Sequence, residues 1–397
     1  MKAAYIPVGA GGHILASLPM VSELVKKGVD VSYYAPASFR SHVEKTGAKF
    51  VAFPEVTEKY SNPFMGNEDF LAVIPLVFLG QAKEAIQDIM TGLEADRPDL
   101  IISDALALAG RLAAWKLNLP LVMVYTTYAP GKSFSIFKTF PEYLCSPARA
   151  EAEKMATAFQ LEFGGKLLTP QEIFEGTGDY NICTLTKSFQ PGGEDFDDRF
   201  FFAGAQIASR AGDGQWKAPD NGKPLLYTSL GSLFNNWPAF YQMLFPIVKH
   251  MDINVLCSIG KTIKREDLGE IPGNVTVMPF TPQLEVLTHA DYFITHAGTG
   301  SVMEALYFGV PCVCIPQMDE QVLTANRLKE LGCASDVMSK QDVTEERLRA
   351  AINELIANPS YRENAQAMSR EMRLTGGSER AAQKIIDHVE RCRRRDE

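Results

Sequence analysis

The sequence lacks any apolar run long enough to cross a bilayer. Its most apolar stretch, residues 71–79 (LAVIPLVFL), falls well short of the roughly 20 residues a membrane helix needs. The N-terminus goes straight into an apolar strand, without the charged region, apolar run and cleavage site of a secretory signal. Cysteine is sparse: the seven are scattered without paired metal spacing or a disulfide framework, which favours a reducing compartment and a cytoplasmic location. Cys312 and Cys314 sit in an apparent strand and suit core packing better than a ligand set. Positive charge is in deficit. The net charge of −9 argues against a nucleic-acid partner, and Arg391, Arg393, Arg394 and Arg395 form only a short solvated tail. No Asp-x-Asp pair is positioned to hold Mg²⁺ against a diphosphate, since Asp197-Asp198 lies in a polar loop. A dinucleotide fingerprint starting at Gly9 fails because Ile14 stands where the last glycine belongs, and no P-loop Gly-Lys-Ser/Thr ending exists. No metal or cofactor is therefore expected.

What is present is a double alternation of strands and helices. At 397 residues the chain exceeds what one core usually organises, so two domains of about 200 residues are expected. Short apolar strands are read at 3–8, 31–35, 50–53, 100–103 and 121–125. Ile14, Leu18, Val21 and Val25 recur at helical spacing between the first two, with Gly28 as a stop. Residues 206–222 are polar and glycine-rich, a linker composition. A second set of strands follows at 225–229, 255–258, 275–278, 292–295 and 312–315, and residues 379–394 are helical in pattern. The expected class is α/β, with two Rossmann-like parallel-sheet domains. Expected bounds are 1–205, a linker at 206–222, 223–375, and a terminal helix at 376–397.

The most informative span runs from His296 to Gln321. A strand (292–295) leads into a glycine-rich turn at 298–301, then a helix from Ser301 to Phe308, a second strand, and the polar cluster Asp319-Glu320-Gln321. Turn amides and the positive end of a helix make a site for a diphosphate. Glu304, one turn in, is placed to accept from a sugar hydroxyl. The acidic cluster after the next strand suits a polyhydroxylated sugar. An acidic chain that binds an anion must use such local dipoles rather than its overall field.

This span resembles the donor-binding signature of the UDP-dependent glycosyltransferases of family 1, particularly the bacterial macrolide-glycosyltransferase type. The resemblance implies the GT-B fold, with two domains facing across a cleft and a C-terminal helix crossing back to the first. It assigns donor binding to His296, Gly298, Gly300, Ser301, Glu304, Glu320 and Gln321, with Gly300 standing where many relatives carry asparagine. Phe280-Thr281-Pro282-Gln283 resembles the family segment in which an aromatic ring stacks on uracil. Ser232, in Ser229-Leu-Gly-Ser232, resembles the hydroxyl residue that reaches the diphosphate.

Transfer from a UDP-sugar also needs a base for the acceptor hydroxyl, and histidine is the usual one. Of six histidines, His13 is best placed: it follows Gly9-Ala-Gly-Gly12 at the end of the first strand, a turn resembling the family's Gly-His motif. Asp104 ends the strand at 100–103 and opens a helix read over 105–117. It matches the aspartate that partners the base. Taken alone, Asp104 reads as a helix N-cap and His13 as a loop imidazole bonded to backbone. On the acceptor side Phe64, Phe70, Phe78, Phe134 and Phe137 fall in stretches without clear pattern, where an apolar pocket for a macrolide, polyketide or flavonoid could form.

The expectation is thus an inverting, metal-independent hexosyltransferase, using UDP-glucose and a small hydrophobic acceptor, with no nucleic-acid partner and no membrane insertion. The alternatives are a UDP-sugar epimerase of the same fold, which would need no acceptor, and a non-catalytic relative serving as an auxiliary binding protein.

Overall fold

The computed structural model describes residues 1–53, 70–164, 172, 175–207, 216–231 and 235–396. The chain forms two compact units, Met1–Ala208 with Thr375–Glu397, and Ser209–Leu374. The expected linker is thus not all linker. Trp216, in its polar stretch, is buried and packs its ring against His289 of the second unit at 5.8 Å.

Among its described residues the first unit holds seven strands: β1 (Lys2–Ile6), β2 (Asp30–Ala35), β3 (Lys49–Ala52), β4 (Leu100–Asp104), β5 (Leu121–Tyr125), β6 (Tyr180–Cys183) and β7 (Phe200–Phe202). They form one sheet in the order β3-β2-β1-β4-β5-β6-β7, with every pairing parallel. The second unit repeats the plan with β8 (Leu225–Ser229), β9 (Asn254–Ser258), β10 (Val275–Met278), β11 (Tyr292–Thr295), β12 (Cys312–Cys314) and β13 (Ala334–Val337). Its order is β10-β9-β8-β11-β12-β13, again all parallel. Strands covered on both faces read as apolar runs rather than alternations. Every residue of β4, β5 and β8 is buried. In both sheets the chain builds outward from the first strand, then returns to its other side. The strand order therefore reverses between β1 and β4, and between β8 and β11. Parallel sheets bind ligands at the carboxyl ends beside such reversals.

The longer helices described in the first unit are α1 (Gly11–Lys26), α2 (Phe70–Asp96), α3 (Leu108–Leu117) and α4 (Pro147–Phe163). The second has α5 (Pro238–Val248), α6 (Gln283–Leu287), α7 (Thr299–Phe308), α8 (Asp319–Glu330), α9 (Glu345–Ala357) and α10 (Ser360–Thr375). The last helix, α11 (Gly377–Asp396), belongs to the first unit. Ile14, Leu18 and Val21 of α1 are buried, each contributing about 1.5–3 kcal/mol relative to exposure. Against them, in the same cluster, lie Ala381, Ala382, Ile385 and Val389 of α11. The C-terminal helix thus completes the core of the domain in which the chain began. Thr375 donates its hydroxyl to the Ala203 carbonyl where the chain re-enters.

Two local expectations change. The apolar run at 71–79 is the first part of a 27-residue helix with Pro75 inside it. Lys83, Glu84 and Asp88 follow, and no helix among the described residues is long and apolar enough to cross a membrane. The helix after β4 starts at Leu108, three residues later than read, because Asp104 closes a turn first. Its Oδ1 accepts the Leu106 N–H at 2.9 Å, and its carbonyl accepts from Ala107.

Candidate functional site

Three side chains meet at the carboxyl end of the first sheet. His13 lies in the first turn of α1, just after β1; Asp104 ends β4; and Thr126 follows β5. Because β1, β4 and β5 are neighbours, their ends converge. His13 Nδ1 lies 2.8 Å from Asp104 Oδ2 and 2.8 Å from Thr126 Oγ1. The Asp104 side chain keeps 2% of its surface exposed and the imidazole 19%, so the carboxylate is reached through the ring and not by solvent. A carboxylate on Nδ1 selects the tautomer with its proton there and its lone pair on Nε2. It also balances the charge once Nε2 takes up a proton. The loop is steadied by Gln81, whose Oε1 accepts the Gly9 N–H at 3.2 Å.

The reversal in the second sheet is built differently. His296 follows β11, and its ring lies between two glycines from neighbouring strand ends. A Cβ on Gly231 would fall 2.7 Å from His296 Nε2, and one on Gly298 2.5 Å from it. Neither position tolerates a side chain with the ring in place, and Gly231 also has φ +84°. Desolvation lowers the His296 pKa from 6.5 to about 4, partly offset by a hydrogen bond with the Ser229 backbone. The ring is neutral and can give only one N–H; its Nδ1 is buried without a hydrogen-bond partner among the described residues. Between His296 and the helix, buried Ala297 adopts φ 61°, a left-handed backbone that costs a residue with a Cβ about 1–2 kcal/mol. Its N–H is held by Thr295 Oγ1 at 3.1 Å. That bend aims the N-terminus of α7, whose cap Gly298 supplies no side-chain bond. The amides of its first turn lack intrahelical acceptors and carry the helix's partial positive charge.

Around this end a polar network holds four more of the expected residues. Thr281 and Tyr227 share a hydroxyl bond at 2.7 Å, and Tyr227 donates to Gln283 Oε1 at 3.2 Å. Gln283 Nε2 in turn donates to Glu304 Oε2 at 2.6 Å and to Ser301 Oγ at 3.2 Å. Burial pushes the Tyr227 phenol up to about 12, so it stays a neutral donor, and its ring stacks on Phe293 at 4.8 Å. Thr299 donates its hydroxyl to Glu320, tying the first turn of α7 to that of α8. Gln321 is buried, and its Oε1 accepts the Gln317 N–H at 2.8 Å, while Gln317 reaches the Leu230 carbonyl at 3.1 Å. Gln321 thus shapes the loop after β12. Beside that loop lies a cavity of about 460 Å³, lined by Asn236, Gln317, Asp319, Ser339, Lys340 and Gln341 among others. Phe280 stands apart with 52% of its surface exposed and Lys261 Nζ 5.3 Å from its ring centre.

The chain also matches known proteins. Residues 242–388 match the family model of the erythromycin biosynthesis protein CIII-like C-terminal domain. Over 390 residues the chain is 33% identical to an NDP-glycosyltransferase, YjiC, of Bacillus licheniformis, covering 96% of each protein. This chain is a family 1 glycosyltransferase of the macrolide type. It is 28% identical to the oleandomycin glycosyltransferase of Streptomyces antibioticus, covering 96% of this chain and 89% of that one. It also superposes on the crystal structure of the glycotransferase of kitacinnamycin with a TM-score of 0.86, at 30% identity and 98% coverage of both chains. The two parallel-sheet domains are therefore those of the GT-B fold, and the co-substrate is a nucleotide-sugar.

The remaining expected residues of this glycosyltransferase fare unevenly. Ser232 and Phe64 lie outside the described residues. Phe70 opens α2 and Phe137 lies in a short helix (Ile136–Thr139), and neither side chain is among those described. Phe78 is on α2, not in an irregular stretch, and packs partly buried against the first core. Phe134 packs its ring against Tyr128 at 5.3 Å. Gly300 is exposed and a Cβ there meets nothing within 4 Å, so the site would admit the asparagine that many relatives carry. Sequence reasoning missed Thr126, Gly231 and Tyr227. Each lies in a strand or at its carboxyl end beside one already singled out, a signal available only once strand order is known.

Proposed function

We propose that this glycosyltransferase moves glucose from UDP-glucose to a hydroxyl of a small hydrophobic acceptor, with inversion and without a metal, in the cytoplasm. The single observation that carries the reading is the imidazole–carboxylate pair of His13 and Asp104. A buried carboxylate on one ring nitrogen makes the other a base at neutral pH. In this reading Nε2 takes the acceptor's proton as the oxygen attacks the anomeric carbon. Asp104 balances the imidazolium, and attack opposite an α-linked diphosphate gives a β-glycoside. The uncapped N-terminus of α7 would meet the charge left on the diphosphate, with the neutral His296 as one further donor. Glu304, held by Gln283, accepts from the ribose; Phe280 offers an exposed face for a pyrimidine; and Glu320 with Gln321 serves the hexose. The relatives named for oleandomycin and for demethyllactenocin support a macrolide or similarly bulky acceptor.

The test is a panel of UDP- and TDP-sugars against macrolide and flavonoid acceptors, read by mass. A gain of one hexose from UDP-glucose, dependent on acceptor, is the expected result. Conversion of UDP-glucose to another UDP-hexose with no acceptor present would replace the reading with epimerisation.

A further inference from the structure

One nitrogen of the first-domain imidazole faces two oxygens. Asp104 Oδ2 and Thr126 Oγ1 each lie 2.8 Å from His13 Nδ1, which carries at most one proton. If that proton were absent, the Nδ1 lone pair would face a carboxylate oxygen at hydrogen-bond distance, a repulsive contact. Nδ1 is therefore the protonated nitrogen, and both oxygens accept from it in a three-centre bond. Asp104 comes from the end of β4 and Thr126 from just beyond the end of β5, so the ring is approached from two adjacent strand ends. Asp104 is itself fixed, its Oδ1 accepting the Leu106 N–H at 2.9 Å. A ring held by one oxygen can pivot about that bond; a ring held by two cannot.

We infer that Thr126 is a positioning residue for His13: its hydroxyl shares the Nδ1 proton with Asp104, stops the ring from swivelling, and stabilises the imidazolium formed when Nε2 takes up a proton. This rests on the proposed role of His13 as base. An oxygen that accepts from the ring favours its charged form over its neutral one. Removing the hydroxyl should therefore lower the pKa of the imidazole as well as loosen its aim.

The experiment uses the full chain as Thr126→Val, which keeps the shape without the hydroxyl, and Thr126→Ser, which keeps the hydroxyl. His13→Ala runs alongside, with UDP-glucose and a flavonoid as the assay pair. Thr126→Val is expected to lower kcat about five- to tenfold while KM for UDP-glucose stays within about twofold. The acid limb of the kcat/KM profile should move to lower pH, and an NMR titration of His13 should move the same way. Thr126→Ser should keep kcat within about twofold of the parent chain. Parental kcat and His13 titration in Thr126→Val would overturn the inference, and so would equal losses in the valine and serine variants. If His13→Ala still turns over, the base assignment itself fails; if it is inactive while Thr126→Val is unaffected, only the clamp fails.

Discussion

His13 and His296 sit beside corresponding reversals of strand order in two sheets of the same topology, yet they are opposite kinds of imidazole. His13 arises after β1 and meets a carboxylate from β4 across the reversal, at 2.8 Å. His296 arises after β11, the counterpart of β4, and among the described residues lies against the backbone of Gly231 and Ser229 across from it. The first ring is half-buried with an anion on one nitrogen, an arrangement that favours taking up a proton. The second is desolvated, with no anion on its ring among the described residues, and its pKa is pushed down to about 4. Residue type and nearness to the reversal are shared. What decides the chemistry is the group the neighbouring strand presents to the ring.

Exchanging or removing these surroundings tests that contrast. The largest effect is expected for His13→Ala, which should lower kcat about 10²–10⁴-fold while leaving UDP affinity by calorimetry nearly intact. A matching loss of UDP binding would put His13 in the same class as His296. Asp104→Asn comes next, with kcat down about 10–10³-fold and little change in UDP affinity, because the far nitrogen loses the anion that balances its charge. Parental rates from that variant would reduce Asp104 to the turn it closes with Leu106 and Ala107. On the other side, Gly298→Ala puts a Cβ 2.5 Å from the His296 ring. It should weaken UDP binding and lower the melting temperature, at a cost of about 1–3 kcal/mol, with the His13 titration unchanged.

The pH dependence of stability gives a fourth, smaller test. His296 binds a proton near 6.5 in the unfolded chain and only near 4 in the native one. Its contribution is therefore complete above pH 6.5 and is lost progressively as pH falls toward 4. His296→Gln should flatten the fall in urea midpoint over that range; an unchanged slope would mean the ring is not held neutral. The smallest effect is expected for Phe280→Ala. Loss of an exposed stacking face should raise KM for UDP-glucose about threefold to tenfold and leave kcat alone, measured by steady-state kinetics.

Part of this was legible in the chain. Apolar runs ending in polar residues locate β1, β4, β8 and β11, and strand ends are where parallel sheets carry function. His13, Asp104 and His296 could be singled out on that ground together with the family resemblance. Thr126 could not: a threonine after a strand is unremarkable until β5 is known to lie beside β4. The start of α3 differs from the sequence reading because an aspartate before an apolar helical pattern looks like a cap, whereas here its side chain closes a separate turn. Trp216 reads as linker because its neighbours are polar, though a single indole buries enough surface to belong to a core. β6, β7 and β13 escaped for related reasons: β6 buries Asn181 among its four residues, β7 has three residues on an edge, and β13 is half-exposed. Windows so short carry no usable period.

Local pattern, then, is enough to determine two parallel sheets, the turns at their carboxyl edges and the amphipathic helices that cover them, because these follow from periodicity and from which residues a backbone bend can accept. The partners of each imidazole were decided by tertiary structure. Strand order brought Asp104 and Thr126, 91 and 113 residues from His13 along the chain, within 2.8 Å of one nitrogen. It brought Gly231 against His296 in the same way. Such distances depend on which strands become neighbours, and no window of sequence contains that choice.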